Sequence, residues 1–433
     1  VPEPVRATLP DGLQVLIVPT TRLPLVDLRL VAHAGSVNDP AGREGLARLT
    51  SELLTQGAGR RSAQQLADDI EFVGGSLAAE AGPEQFVVTC EVLRKDLATG
   101  LELFRDCIVS PAFAADELAR KRSEALGGIA SDRSDPSTIA DRAIARWLWG
   151  ASPLAHPPIG TAAGLAAITR DDVVAFHRRY VTPGRSVLVV VGDVDPAALI
   201  ARLREAFAGW AAGGEPLAAA PYGPAAPLHG LRVRVIRKPE ATQAQIRFAC
   251  PGVPRGSPDQ FAIEVANTIL GGGFTSRLVS EVRVERGLTY SIGSRFSEYR
   301  AAGAFGIDTF TRNDQLRACV DATLAGLRRL VRDGPTEAEL DKAHAYLAGQ
   351  YPLGLQAPDD LAAEIANVQF YGLPPDYIAT YADHVRAVTL ADVRRALQAH
   401  FCTTDLDLVV VTNADVARKA LAGLGPLEVR GIE

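Results

Sequence analysis

Two stretches of the chain share one pattern: residues 168–196 read ITRDDVVAFHRRYVTPGRSVLVVVGDVDP, and residues 388–416 read VTLADVRRALQAHFCTTDLDLVVVTNADV. Thr169 in the first copy aligns with Thr389 in the second, and both copies contain the run LVVV. A threonine before an amphipathic segment predicts a helix N-cap, and the short apolar run that follows predicts a buried strand. The chain therefore contains a duplicated structural unit.

The duplication extends over nearly the whole sequence. SPAFAADELARKRSEAL at 110–126 resembles GPTEAELDKAHAYLAGQ at 334–350, and each half opens with two strand-like segments. Residues 209–230 are rich in Ala, Gly and Pro and predict a linker. We expect two homologous domains, 1–208 and 231–433. Their irregular order of strands and helices predicts an α+β fold, each domain being a mainly antiparallel sheet with helices packed on one face.

Composition excludes several classes of protein. The 433 residues carry a formal net charge of −6, which argues against a nucleic-acid binder, and no apolar run approaches the length of a membrane span. The five cysteines are scattered without a CxxC pair, so we expect single buried thiols rather than a disulfide framework or a zinc finger. No two of the seven histidines are three or four residues apart, and GxSxG, P-loop and complete GxGxxG motifs are absent.

Two longer segments point to a known family. NDPAGREGLARLTSELLTQGAG at 38–59 and GGGFTSRLVSEVRVERGLTYSIGSRFSEYRAAGAFGI at 271–307 resemble the N-terminal and C-terminal halves of M16 metallopeptidases. This family includes pitrilysin, insulin-degrading enzyme and mitochondrial processing peptidase. The length and the duplication are similar to those of its bacterial short-chain branch. The resemblance implies that the chain forms half of a clamshell around a peptide-binding chamber.

The family's zinc motif, HxxEH, is degenerate in this chain. Arg48 and Glu52 stand at the positions of the two histidine ligands, Ser51 at that of the general base, and Gly128 at that of the third ligand. Arginine stays protonated and offers no lone pair to a metal. We therefore expect no zinc in this chain.

Two further changes accompany the loss of the ligands. Arg48 and Glu52 are four residues apart on a predicted helix, so an ion pair either fills the space of the lost metal or is merely a solvated surface pair. The family's substrate-facing edge strand reads Ala78-Ala79-Glu80 here, which departs from its Asn-Ala-Tyr type of segment.

The C-terminal half keeps the pattern. The family contributes from this half an arginine and a tyrosine seven residues apart, and Arg283 and Tyr290 have that spacing. The resemblance implies that Tyr290 stabilises a developing oxyanion and that Arg283 holds the substrate backbone and orients the tyrosine. The alternative is an arginine and a tyrosine without a role. The resemblance also implies substrate contact by the loop of Gly271, Gly272, Gly273 and Phe274, for which the alternative is a simple connection between helices.

These features predict a subunit that is inactive alone. We expect a non-catalytic subunit of a heterodimeric metallopeptidase, which binds peptides and completes the site of a homologous HxxEH-bearing, zinc-binding partner, as a heterodimer or a dimer of heterodimers. The alternatives are a structural, peptide-binding protein without a catalytic contribution and an autonomous peptidase with a relocated metal site. The missing initiator methionine and the bacterial resemblance favour a processed, periplasmic protein over a cytoplasmic one.

Overall fold

The computed structural model describes residues 3–211 and 219–432. The strands are β1 Val5–Thr8, β2 Gln14–Pro19, β3 Leu25–His33, β4 Ser76–Ala81, β5 Gln85–Leu93, β6 Ser186–Gly192, β7 Arg232–Arg237, β8 Gln243–Pro251, β9 Ile292–Glu298, β10 Gly303–Arg312, β11 Asp407–Thr412 and β12 Leu427–Arg430. The α-helices are α1 Leu46–Leu54, α2 Ala63–Phe72, α3 Leu97–Val109, α4 Ala115–Asp132, α5 Pro136–Trp149, α6 Ala162–Ala167, α7 Arg170–Tyr180, α8 Pro196–Ala206, α9 Gln260–Asn267, α10 Leu316–Asp333, α11 Glu337–Leu353, α12 Pro358–Tyr371, α13 Tyr377–Ala387, α14 Leu390–His400 and α15 Ala414–Ala420.

The strands form two six-stranded sheets in which five strands have equivalent places; the sixth, at one edge, is β1, antiparallel to β2, in the first sheet and β12, parallel to β7, in the second. The first sheet runs β1-β2-β6-β3-β5-β4 and the second β12-β7-β11-β8-β10-β9. Both are mixed but mainly antiparallel: β2 and β6 are parallel in the first, and β7 is parallel to β11 and β12 in the second. The two LVVV runs lie in β6 and β11, at the same place in each sheet, and every residue of both strands is buried.

The threonines that mark the repeat cap equivalent helices. The Thr169 side chain accepts a hydrogen bond from the backbone N–H of Asp172, and Thr389 accepts one from Asp392. In each case the aspartate side chain accepts from the backbone N–H of the threonine, which completes a capping box. The duplication inferred from sequence is confirmed at the level of local hydrogen bonds.

Each compact unit includes one helix from the other half of the sequence. The first unit comprises Val1–Ile129, His156–Pro221 and Pro352–Ala379, and the remaining residues form the second. In the first unit α12 packs on the sheet face that carries Leu16, Val18 and Val189, opposite the face covered by α1 and α3. In the second unit α5 packs against Ile236, Val409 and Val411.

The predicted α+β fold class with two homologous sheets is confirmed, and in each unit the further helix covers part of the second face as well. The predicted linker, residues 209–230, includes 212–218, which lie outside the described residues. In the described part of the chain, no helix has the length and apolar character needed to span a membrane.

Burial under α12 leaves one carboxyl group in an unfavourable setting. Asp27 in β3 is buried, and its Oδ1 atom has no hydrogen-bond partner among the described residues. Burial raises the pKa of Asp27; with the opposing effect of Arg29 and the smaller contributions of the Glu91 and Asp359 carboxylates, which also raise it, the pKa reaches about 7. The charged form therefore opposes folding at neutral pH.

This predicts a stability that falls as pH rises. A carboxyl group whose pKa is raised in the folded state stabilises that state fully below its unfolded pKa, and the benefit is lost as pH rises through about 7. We expect Asp27→Asn to raise the free energy of unfolding by about 1–2 kcal/mol at pH 8, where it removes a buried charge; the amide must itself be desolvated, which limits the gain. The gain should be smaller at pH 5, because Asp27 is then already neutral in the folded protein. Urea unfolding at both pH values measures this. An equal difference at both would contradict it.

The expectation that all five cysteines are single thiols is wrong for two of them. Cys250, near the end of β8, and Cys402, just after α14, form a disulfide with Cα atoms 6.5 Å apart. The two positions are separated by 152 residues, and the pairing of β8 with β11, in which Ala249 lies opposite Asp407, brings them close together. The other three cysteines, Cys90, Cys107 and Cys319, are buried free thiols, and burial raises the pKa of each to between about 11 and about 12.

Candidate functional site

The helix that carries the degenerate metal motif is α1, and its start is tightly defined. Asp39 accepts hydrogen bonds from the backbone N–H groups of Gly45, at 2.7 Å, and Ala47, at 2.8 Å. These satisfy donors that a helix start otherwise leaves unpaired. Gly45 has φ 105°, and a Cβ there would lie 2.8 Å from the backbone oxygen of Ile159. The start of the helix that carries Arg48, Ser51 and Glu52 is thus fixed by the Asp39 carboxylate and by the close approach at Gly45.

Arg48 and Glu52 form the ion pair that their spacing predicts. The Arg48 Nε atom lies 2.7 Å from Glu52 Oε1, and the two side chains are 46% and 23% exposed. Solvent therefore reaches the pair, which favours the solvated-pair alternative over a buried replacement for the metal. Ser51 is buried, and its hydroxyl donates to the backbone oxygen of Arg48 at 2.8 Å. The Ser51 hydroxyl is therefore engaged in a hydrogen bond within α1.

Exposure sets the expected strength of this pair. In a double-mutant cycle with Arg48→Ala and Glu52→Ala, we expect a coupling free energy of about 0.5 kcal/mol, falling in 1 M salt. Thermal or urea unfolding of the four proteins measures it. A coupling above about 2 kcal/mol would show instead that the pair replaces the metal as a structural element of the fold.

Gly128, which the resemblance assigns to the position of the third ligand, lies within α4. A Cβ at Gly128 would lie 3.2 Å from the Cδ1 atom of Ile159, so a longer side chain requires Ile159 to move. Together with Arg48, Ser51 and Glu52, the glycine gives a set with one carboxylate and no imidazole, which does not fit zinc. Across the described residues, no group of three or more His, Cys, Asp or Glu side chains is placed to hold a metal ion.

Arg283 and Tyr290 are brought together by the structure. The Arg283 Cζ atom lies over the Tyr290 ring, 5.0 Å from its centroid, in cation–π geometry. Tyr290 is 76% exposed, so its hydroxyl is open to a ligand or another chain. The seven-residue spacing places the arginine on a helical segment and the tyrosine just before β9, an edge strand of the second sheet.

The segment that carries Arg283 is wound as a π-helix. It spans Val279–Glu285, and such turns are frequent at functional sites. Gly287 follows with φ 59°, the left-handed conformation in which glycine commonly ends helices. Its N–H donates to the Arg283 backbone oxygen at 3.2 Å, and the N–H of Leu288 donates to that of Val282 at 3.0 Å. The turn after Arg283 is thereby closed.

Strand β10 holds the rest of the connection to Tyr290. The Thr311 hydroxyl donates to the backbone oxygen of Leu288 at 2.6 Å, and the Thr309 hydroxyl donates to that of Ser291 at 2.9 Å. Both threonines are buried. Tyr290 therefore has a fixed backbone on either side and an exposed side chain, which suits a residue that presents its hydroxyl to a substrate.

The glycine-rich loop is also structurally defined. Thr268–Gly272 forms a π-helical turn after α9, so the loop does connect two helical segments. A Cβ at Gly271 would lie 2.6 Å from the backbone nitrogen of Ser294 in β9, and no other residue fits there. Phe274, at the end of the loop, is 87% exposed. The close approach to β9 explains by packing alone why residue 271 is a glycine. Phe274, which is exposed, is the better candidate for contact with substrate.

One residue next to this site is not identified by sequence patterns. Glu281 is buried and ion-paired to Arg286 and Arg329. It is one of several charged residues in SEVRVER, and its burial depends on α10, whose Arg329 lies 48 residues further along the chain. Only the tertiary structure distinguishes it from its exposed neighbour Glu285.

Comparison with known proteins gives consistent similarities across both halves. Residues 15–162 match the family model for insulinase (peptidase family M16), and residues 167–347 match that for the peptidase M16 inactive domain. An uncharacterized zinc protease of Mycobacterium tuberculosis is 33% identical over 82% of this chain and 80% of its own length. A non-peptidase homolog of Helicobacter pylori is 24% identical over 90% of each chain. A crystal structure of a peptidase M16 inactive domain from Pseudomonas fluorescens superposes with a TM-score of 0.89 at 29% identity, covering 95% of this chain and 98% of that one.

Proposed function

Since the chain belongs to peptidase family M16, we propose that it is the non-catalytic subunit of a heterodimeric zinc metallopeptidase. In this proposal a homologous partner with an intact HxxEH motif binds the zinc, and this chain supplies Arg283 and Tyr290 together with half of the peptide-binding chamber. The chain has no hydrolase activity alone. The assembly is a heterodimer, alone or as a dimer of heterodimers.

One observation carries the proposal: an exposed tyrosine is held against an arginine in a chain whose own metal positions cannot bind zinc. Tyr290 is 76% exposed and 5.0 Å from the Arg283 guanidinium carbon. Arg48, Ser51 and Glu52 offer neither an imidazole ligand nor the family's general base. Arg283 and Tyr290 have no metal site to act on within the described part of this chain. A metal site in another chain would give the pair a role.

The chemistry of the pair suits stabilisation of negative charge. A phenol hydroxyl can donate a hydrogen bond to the oxyanion that develops when a peptide carbonyl is attacked. A guanidinium group over the ring orients the phenol, and its remaining N–H groups can donate to the carbonyls of an extended peptide. Because the tyrosine backbone is fixed by β10, little reorganisation accompanies the reaction.

Reconstitution tests this function. We expect peptide cleavage from a mixture of this chain with an HxxEH-bearing partner of similar length to exceed that of either chain alone by at least about 100-fold. A metal chelator should abolish it, and metal analysis should find zinc in the partner. Stoichiometric zinc in this chain, with chelator-sensitive cleavage by this chain alone, would show an autonomous peptidase instead.

We further propose that the protein resides in the periplasm. The Cys250–Cys402 disulfide supports this location, because structural disulfides persist in oxidising compartments and are rare in the cytosol. Alkylation of intact cells followed by a mass-shift gel should show that these two cysteines are oxidised. Cell fractionation should find the protein in the periplasmic fraction. Recovery of the reduced chain in the cytoplasmic fraction would contradict the proposal.

A further inference from the structure

We propose that Glu281 is a positioning residue, which sets the place of Tyr290 relative to Arg283 through the turn between them. The inference rests on the proposed function and extends it to a residue that touches neither substrate nor metal.

The contacts of Glu281 join three parts of the second unit. Its Oε1 atom accepts from the Arg286 guanidinium at 3.0 Å, and its Oε2 atom accepts from Arg329 on α10. The backbone oxygen of Glu281 also accepts from the N–H of Arg286 at 3.1 Å. Glu281 is only 8% exposed. Gly326 of α10 lies beside the carboxylate, since a Cβ there would be in van der Waals contact with Oε2 at 3.4 Å.

These contacts act on the turn that leads to Tyr290. Arg286 is the first residue after the π-helix and is held at both its backbone and its guanidinium by Glu281. The next two residues, Gly287 and Leu288, close the turn on Arg283 and Val282. Without the carboxylate, Arg286 loses its side-chain anchor and Arg329 is left without this partner. The turn is then tied to α10 less firmly, and the phenol samples a wider range of positions.

Kinetics of the reconstituted heterodimer test this role. We expect Glu281→Ala to lower kcat roughly tenfold with little change in KM, since the interaction of Tyr290 is made in the transition state. Glu281→Gln keeps one acceptor oxygen and should recover part of the loss. An unchanged kcat for Glu281→Ala, under conditions where Tyr290→Phe lowers kcat, would overturn the inference.

Glu339 provides a matched control on the same side of the unit. Its carboxylate accepts two hydrogen bonds from Arg277, at 2.7 and 2.8 Å, but these hold the start of α11 and not the turn at Arg286. We expect Glu339→Gln to lower the melting temperature as Glu281→Gln does and to leave kcat of the mixture unchanged. An equal fall in kcat for Glu281→Gln and Glu339→Gln would mean that loss of stability alone explains the effect.

Hydrogen exchange of this chain alone separates the inference from the proposed function. We expect the amides of Gly287 and Leu288 to exchange roughly tenfold faster in Glu281→Ala than in the unmodified chain, and not in Glu339→Gln. Unchanged exchange would overturn the positioning role whatever the activity of the mixture. If exchange rises but Tyr290→Phe has no effect on cleavage, Glu281 holds the turn and it is the proposed function that fails.

Discussion

Tyr290→Phe in this chain should lower kcat of the reconstituted peptidase by about 100-fold or more, although in the proposed assembly the zinc and its ligands belong to the other chain. The expected size follows from the loss of one hydrogen-bond donor to a developing oxyanion. The phenyl ring keeps its stacking with Arg283, so the fold and the chamber wall are unchanged. Initial rates on a peptide substrate at saturating subunit concentration measure the effect, and KM should change little.

Arg283→Ala should also lower kcat/KM, and Arg283→Lys should not restore it, because lysine lacks the planar fork that stacks and donates in two directions. Tyr346→Phe is the matched control, since Tyr346 is an exposed tyrosine on α11. It should leave the rate unchanged. Unaltered activity in both Tyr290→Phe and Arg283→Ala would leave the chain as a structural, peptide-binding subunit, the alternative that the sequence also permits.

Local sequence signals predict the repeated elements of this fold well. The capping threonines Thr169 and Thr389 and the LVVV runs predict helices and strands that the structure contains at equivalent places. The placement of α5 and α12 is not predicted. Each helix packs on the sheet of the other half, and an apolar helix face has the same pattern whichever sheet it covers. The periodicity of apolar residues therefore does not predict on which sheet a helix packs.

The candidate site divides in the same way. Arg48 and Glu52 are on one helix, so their ion pair follows from spacing, while the exposure that decides its strength does not. The contact between Arg283 and Tyr290 depends on the closed turn at Gly287, and the importance of Glu281 depends on α10. Contacts between residues on the same helical turn can be inferred from the sequence. Burial of a residue by a helix that is distant in sequence is seen only in the tertiary structure.

The disulfide predicts a large loss of stability on reduction. Cys250 and Cys402 are separated by 152 residues, and closing a loop of that length restricts the unfolded chain by an amount equivalent to about 5 kcal/mol. Measured losses are usually smaller, so we expect reduction to lower the free energy of unfolding by about 2–5 kcal/mol. Urea unfolding with and without dithiothreitol, under conditions that leave the fold intact at zero urea, measures the difference.

The double variant Cys250→Ser/Cys402→Ser supplies the control, because it lacks the cross-link without needing a reductant. Its unfolding midpoint should match that of the reduced protein and should not move when dithiothreitol is added. The three buried thiols are present in both proteins, so an effect of the reductant on Cys90, Cys107 or Cys319 would appear in the double variant as well. A midpoint that dithiothreitol lowers equally in both proteins would show that the cross-link contributes nothing. A shift confined to the unmodified chain would mean that this half of the proposed peptidase reaches its full stability only where disulfides form.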